Sequence, residues 1–156
     1  MRSLLLFSLC LTGCVNFPNQ FAPERARQAD TGPDPRGLKA FIEMKDGAVP
    51  AHFAWGINPA AFDGEKRKTA PFAALRFQVL DPSNQTLSID YVSPVAQVVR
   101  IKWNALEVGR ESAAPGVVHH FEAPADPANF VPGTATLVEI ESEAGVGLIR
   151  AGFIRR

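Results

Sequence analysis

From Leu38 onward the apolar residues of this chain recur at every second position rather than at every third or fourth. Leu75, Phe77 and Val79 fall on one side of an extended segment and Arg76 and Gln78 on the other, the pattern of a half-buried strand. Leu87, Ile89 and Tyr91 repeat it, and Val99, Ile101 and Trp103 oppose Arg100 and Lys102. Pro82, Ser83, Asn84 and Pro94 mark the turns between these strands. Shorter runs predict further strands over 38–44, 52–57, 106–108, 117–122, 134–141 and 147–154, about nine in all. Turn-separated strands spaced at roughly ten residues predict an all-β fold, an antiparallel two-sheet β-sandwich of Ig-like or jelly-roll type.

The pattern ahead of Leu38 is different. Residues 15–37 hold Pro18, Pro23, Pro33 and Pro35, three acids, three arginines and few aliphatic residues, which predicts a partly extended linker. Met1 and Arg2 form a minimal positive start, and 3–11 is uncharged and carries Leu4, Leu5, Leu6, Phe7, Leu9 and Leu11. That run is far short of the roughly 20 residues a permanent membrane span needs, so it reads as the apolar region of a signal peptide. It ends at Leu11-Thr12-Gly13-Cys14.

This tetrapeptide resembles the lipobox of bacterial lipoprotein precursors: an aliphatic residue, a small residue, Gly or Ala, then Cys. The resemblance implies cleavage between Gly13 and Cys14 and a diacylglyceryl group on the Cys14 thiol. The expected organisation is then a signal peptide over 1–13, an acylated Cys and Pro-rich tether over 14–37, and a β-sandwich domain over 38–156. The first expected partner is a membrane, held through the lipid on Cys14. In lipoproteins of this kind the residue after the Cys governs sorting, Asp retaining the protein at the inner membrane. Val15 stands there, which implies the outer membrane of a double-membraned cell. Cys10 leaves with the signal, so the body keeps no free cysteine, and disulfides, thiolate zinc sites and thiol catalysis are excluded together.

Charge adds an exclusion. The 156 residues carry 16 Lys+Arg against 16 Asp+Glu, so no whole-chain field draws the protein to nucleic acid. The run Glu65-Lys66-Arg67-Lys68 reads as a solvated loop. At 46% hydrophobic residues the chain has material for one packed core, and its 13 Pro and 12 Gly, in no fixed period, suit a turn-rich fold.

Candidate chemistry is sparse. His119 and His120 adjoin, but neighbours in a strand point to opposite faces, and His52 lies far upstream; no metal site is expected. Glu139, Glu141 and Glu143 alternate, which describes a charged outer face rather than two carboxylates facing each other across a cleft. Gly145-Val146-Gly147 stands alone without the further glycine of a nucleotide loop, and no nucleophile elbow is present. No catalytic residue and no cofactor is expected. Trp55, Trp103 and Tyr91 are the rings on which a sugar could stack. Trp103 is in register with Val99 and Ile101 and belongs to the core. Trp55 precedes Gly56-Ile57-Asn58-Pro59, where it reaches a loop, and is the candidate ligand platform.

Val99-Arg100-Ile101-Lys102-Trp103-Asn104 leading into Leu106-Glu107-Val108-Gly109, then 121–124, Pro132-Gly133 before Thr136-Leu137-Val138, and Gly152-Phe153-Ile154 at the end resemble the later strands of bacterial Ig-like and jelly-roll carbohydrate-binding modules. Asn104-Ala105 stands where such hairpins usually have Asn-Gly, and Ala tolerates positive φ poorly. The expectation is a lipid-anchored cell-envelope protein, a non-catalytic binding or accessory module for envelope glycan or a protein partner. A small envelope hydrolase and a purely structural lipoprotein are the alternatives.

Overall fold

A computed structural model describes residues 37–46 and 49–156; Cys14, the expected signal peptide and all but the last residue of the expected tether lie outside the described residues. The strands are β1 (Phe41–Glu43), β2 (Phe53–Phe62), β3 (Arg67–Phe77), β4 (Gln85–Val92), β5 (Gln97–Trp103), β6 (Leu106–Ala113), β7 (Val118–Pro124), β8 (Thr136–Glu141) and β9 (Gly147–Arg155). Single 3-10 turns at Val49–His52 and Pro127–Asn129 are the helical pieces among the described residues. The nine strands match the number that alternation predicts, and β2 and β6 run several residues further than their apolar positions suggest.

Pairing is nested. β5 pairs with β6, β4 with β7, β3 with β8 and β1 with β9, all antiparallel, while β2 flanks β3. Rolling up this nest sets β5 beside β8 and β4 beside β9. The result is two layers, β2-β3-β8-β5-β6 and β1-β9-β4-β7, in the double Greek-key order of a jelly roll rather than an Ig domain. On one side the layers stay hydrogen-bonded, because Arg67 and Lys68 of β3 pair with Leu148 and Gly147 of β9.

The alternating apolar residues fill the space between the layers. Leu75, Phe77, Leu87, Ile89, Tyr91, Val99, Ile101, Trp103, Val138 and Ile140 are all buried, as their spacing predicts. Each large aliphatic or aromatic side chain removed from water there contributes about 1.5–3 kcal/mol. Phe153 of β9 ties the layers together, meeting Phe77 edge-on at 6.0 Å and Trp103 at 5.4 Å. The Trp103 indole Nε1–H donates to Thr136 Oγ1 at 2.5 Å, so the ring is buried without an orphaned donor.

Two local expectations change. The hairpin between β5 and β6 is closed by Asn104 and Ala105 with φ of 49° and 68°, a left-handed pair that places an alanine where glycine is favoured. Asn104 holds it by accepting from the Leu137 N–H at 2.9 Å. The run 65–68 is not wholly a solvated loop: Arg67 begins β3 and is buried, its guanidinium over the rings of Phe62 and Phe53 at 4.6 and 5.6 Å. Its Nε donates to the Met44 carbonyl at 3.2 Å, and Nη1 donates to Pro59 O. Aromatic faces and carbonyls satisfy the cation in place of water. A charge run says nothing about such tertiary partners.

Candidate glycan-binding face

The site begins with a backbone irregularity. On β2, Phe53 pairs with Leu75 and Trp55 with Ala74, so two residues of β2 advance against one of β3. A bulge of this kind re-aims the side chain that follows it. Phe53 therefore packs against the core while Trp55, of the same parity, turns outward and is 46% exposed. Gly56 follows at φ 70°, and a Cβ there would stand 1.9 Å from Phe72 O. Only glycine lets β2 lie this close to the Phe72–Ala73 backbone. Trp55 thus lies on the outer face of a strand and not in the loop that its Gly-Ile-Asn-Pro neighbours suggest.

Phe72 shares this outer face. Ala73, Leu75 and Phe77 point inward, so Phe72 and Ala74 point out, and Phe72 is 63% exposed. Phe72 sits diagonal to Trp55 through Ala74, within reach of aromatic side chains. Sequence reasoning missed it because Pro71 discourages a strand, although its parity against Leu75 already placed it on the polar face.

In register across the sheet, Phe72 of β3 opposes Glu141 of β8, Glu141 opposes Arg100 of β5, and Arg100 opposes Arg110 of β6. Phe72, Val98, Arg100, Glu141, Ser142 and Glu143 line a shallow open groove of about 370 Å³. Lys102 pairs with Glu141, and Arg110 with Glu107 at 3.1 Å. Arg100 and Glu143 make no hydrogen bond or ion pair among the described residues, and Ser142 Oγ is buried without a partner. Arg100 also faces the like charge of Arg110, which is unfavourable in a cross-strand pair. Exposed rings beside unpaired donors and acceptors offer a ligand both an apolar floor and hydrogen bonds.

The three histidines lie elsewhere. His52 is buried; its Nδ1 engages Arg76 O at 2.8 Å and its Nε2 accepts from the Lys39 N–H at 3.3 Å. His119 stacks on Tyr91 at 5.2 Å and its Nε2 bonds Ala114 O at 2.9 Å. His120 points the other way, to the outer face of the four-stranded layer, where Nδ1 meets Asp90 and Nε2 meets Glu122 at 3.0 Å. The two neighbours do diverge as the strand pattern predicts. His120 ends a row of alternating sign, with Glu43, Arg150 and Asp90 in register across β1, β9 and β4, and Glu122 bonding Arg156 beyond it. Hydrogen bonding to Asp90 first, and to Glu122, holds the imidazolium above its ordinary pKa, while Arg156 chiefly lowers that of Glu122. With both nitrogens engaged by carboxylates, His120 has no free ring nitrogen to take a proton from a nucleophile.

Tyr91 is core, its hydroxyl donating to Glu111 across the sandwich; burial, then the Glu111 carboxylate, pushes its pKa up. Glu139 and Glu141 lie on the outer face as expected, and Gly145 is a turn glycine at φ 72° packed on Thr69 O. Among the described residues no three His, Cys, Asp or Glu side chains converge to hold a metal ion.

No protein-family model matches this sequence, and no curated protein matches it. Among solved structures, the chain is similar to a family 6 carbohydrate-binding module dissected by sub-site, with a TM-score of 0.47 and 10% identity over 76% of this chain and 95% of that one. CsCBM6-3 from Clostridium stercorarium, in complex with cellobiose, gives 0.46 and 8% over 76% and 95%. A glycoside hydrolase family 43 arabinoxylan arabinofuranohydrolase from Bacillus subtilis gives 0.46 and 10% over 76% of this chain and 28% of that one. The architecture stands on the strand pairings above rather than on likenesses of this size.

Proposed function

We propose that this chain is a lipid-anchored, non-catalytic glycan-binding module of a bacterial cell envelope, with its ligand on the outer face of the five-stranded layer. The observation that carries the reading is the bulge that turns Trp55 outward beside exposed Phe72, bordering a groove whose Arg100 and Glu143 make no hydrogen bond or ion pair among the described residues. Sugars present an apolar C–H face to rings and hydroxyls to charged groups, and sugar sites join the two in this way. Trp55 is the platform and Phe72 its neighbour.

In this reading the domain is tethered through Cys14 and residues 14–37. The chain enters the sandwich beside the Phe77 end of β3, where the Gln78 N–H donates to Lys39 O at 3.2 Å. Phe72 and the groove lie five residues back along that strand, about 17 Å away.

Tryptophan fluorescence tests the reading, since Trp55 is exposed and Trp103 buried. Acrylamide should quench the Trp55 component of the free protein, and solubilised peptidoglycan should protect it. Quenching that is unchanged at saturating glycan would contradict the proposal.

A further inference from the structure

A second shallow groove adjoins the first. It is lined by Ala96, Gln97, Val98, Ser112, Ala114 and Glu143 among others, so Val98 and Glu143 belong to both. Val98 and Ser112 are direct cross-strand partners on the outer face, which carries the depression from β5 onto β6. The two form one furrow from Phe72 on β3, past the end of β8, across β5 to Ser112 and Ala114 at the end of β6. Three interstrand steps make it about 14 Å long, the span of about three linked pyranose rings rather than one.

The lining speaks to charge. Arg100 offers donors only, and Glu143 acceptors only. An acidic polymer laid along the furrow would meet Glu143, and a cationic one would meet Arg100, whereas Glu141 is already paired with Lys102. A hydroxyl donates and accepts, so a neutral polyhydroxylated chain satisfies both. Phe72, Val98 and Ala114 supply the apolar floor, and Phe72 and Val98 are 63% and 47% exposed. Both depressions are open surface grooves rather than enclosed cavities, so a longer chain can run past the furrow.

We infer that this furrow binds the interior of a linear neutral glycan, about three sugar units long, lying across the strands from Phe72 to Ala114. The inference rests on the glycan-binding reading and adds the length, charge and direction of the ligand.

Calorimetric titration of the protein with β-1,4-linked N-acetylglucosamine oligomers of increasing length, beside co-sedimentation with purified sacculi, tests it. Affinity should be unmeasurable for the monosaccharide, rise at least tenfold up to about three or four units, and then level off. Ser112→Arg, at an exposed position in the β6 half of the furrow, should abolish the gain in affinity beyond two units. A monosaccharide that binds as tightly as the longest oligomer, or a Ser112→Arg protein with the wild-type length dependence, would overturn the furrow alone. Retention on sacculi without binding to any oligomer would likewise overturn the furrow and keep the glycan reading. Failure of both sacculi and oligomers to bind would overturn the glycan reading itself.

Discussion

The ring of Phe121 on β7 lies so close over Gly109 on β6 that a Cβ there would stand 2.1 Å from Phe121 Cε2. Opposite the hydrogen-bonded seam of β3 and β9, this contact closes the sandwich where β6 and β7 do not pair. Gly109→Ala should destabilise the domain by about 1–3 kcal/mol through overpacking. Adding Phe121→Leu to it should restore part of the loss, a coupling that urea denaturation of the two single variants and the double variant measures. Additive losses would show that ring and glycine do not act as a pair.

Ala105 carries strain that a single substitution removes. Its φ of 68° costs an L-residue about 1–2 kcal/mol relative to glycine. Ala105→Gly should raise stability by about 1 kcal/mol with the β5–β6 register unchanged. A lower melting temperature would mean that the unfolded chain's gain in freedom outweighs the relief.

The charged row on the four-stranded layer predicts a pH dependence. The folded pKa of His120 is raised above that of the unfolded chain, so its contribution is complete below about pH 6.5 and fades as pH rises through the folded value. His120 is 48% exposed at its side chain, which keeps the effect within about 0.2–1 kcal/mol. His120→Gln should therefore be less stable than wild type at pH 5.5 and equal to it at high pH. Denaturation of both proteins across that range checks the sign; a gap that widens with pH would contradict it.

Attachment has its own test. Cys14→Ala removes the only thiol that the lipobox-like sequence offers for acylation, so metabolic labelling with an alkyne fatty acid should mark the wild type and leave the variant unlabelled. Equal incorporation would remove the lipoprotein reading and leave the sandwich untouched.

The layered fold was legible because alternation is a local property. Val99, Ile101 and Trp103 declare an inward face whatever lies opposite, and all three are buried. The site was legible only in part, because it is built from register. Trp55 stood out as a ring beside a turn, but its outward direction comes from a bulge against Ala74, and nothing in residues 53–57 announces that β2 carries an extra residue there. Phe72, Arg100 and Glu143 lie on three different stretches of chain, and only the nested pairing of β3, β8 and β5 brings them to one groove. Arg67 failed to read as buried for the same reason, since Phe53 and Phe62 reach it from the neighbouring strand.

Glycan binding is proposed for the face that carries Trp55 and Phe72. Co-sedimentation of the 38–156 domain carrying Trp55→Ala and Phe72→Ala with purified sacculi, read beside its thermal melt, tests it most directly. Both rings are exposed, so the double variant should melt close to wild type and lose retention, whereas Trp103→Ala, a core truncation, should cost about 3–5 kcal/mol of stability. Wild-type retention by a double variant that melts normally would contradict the claim.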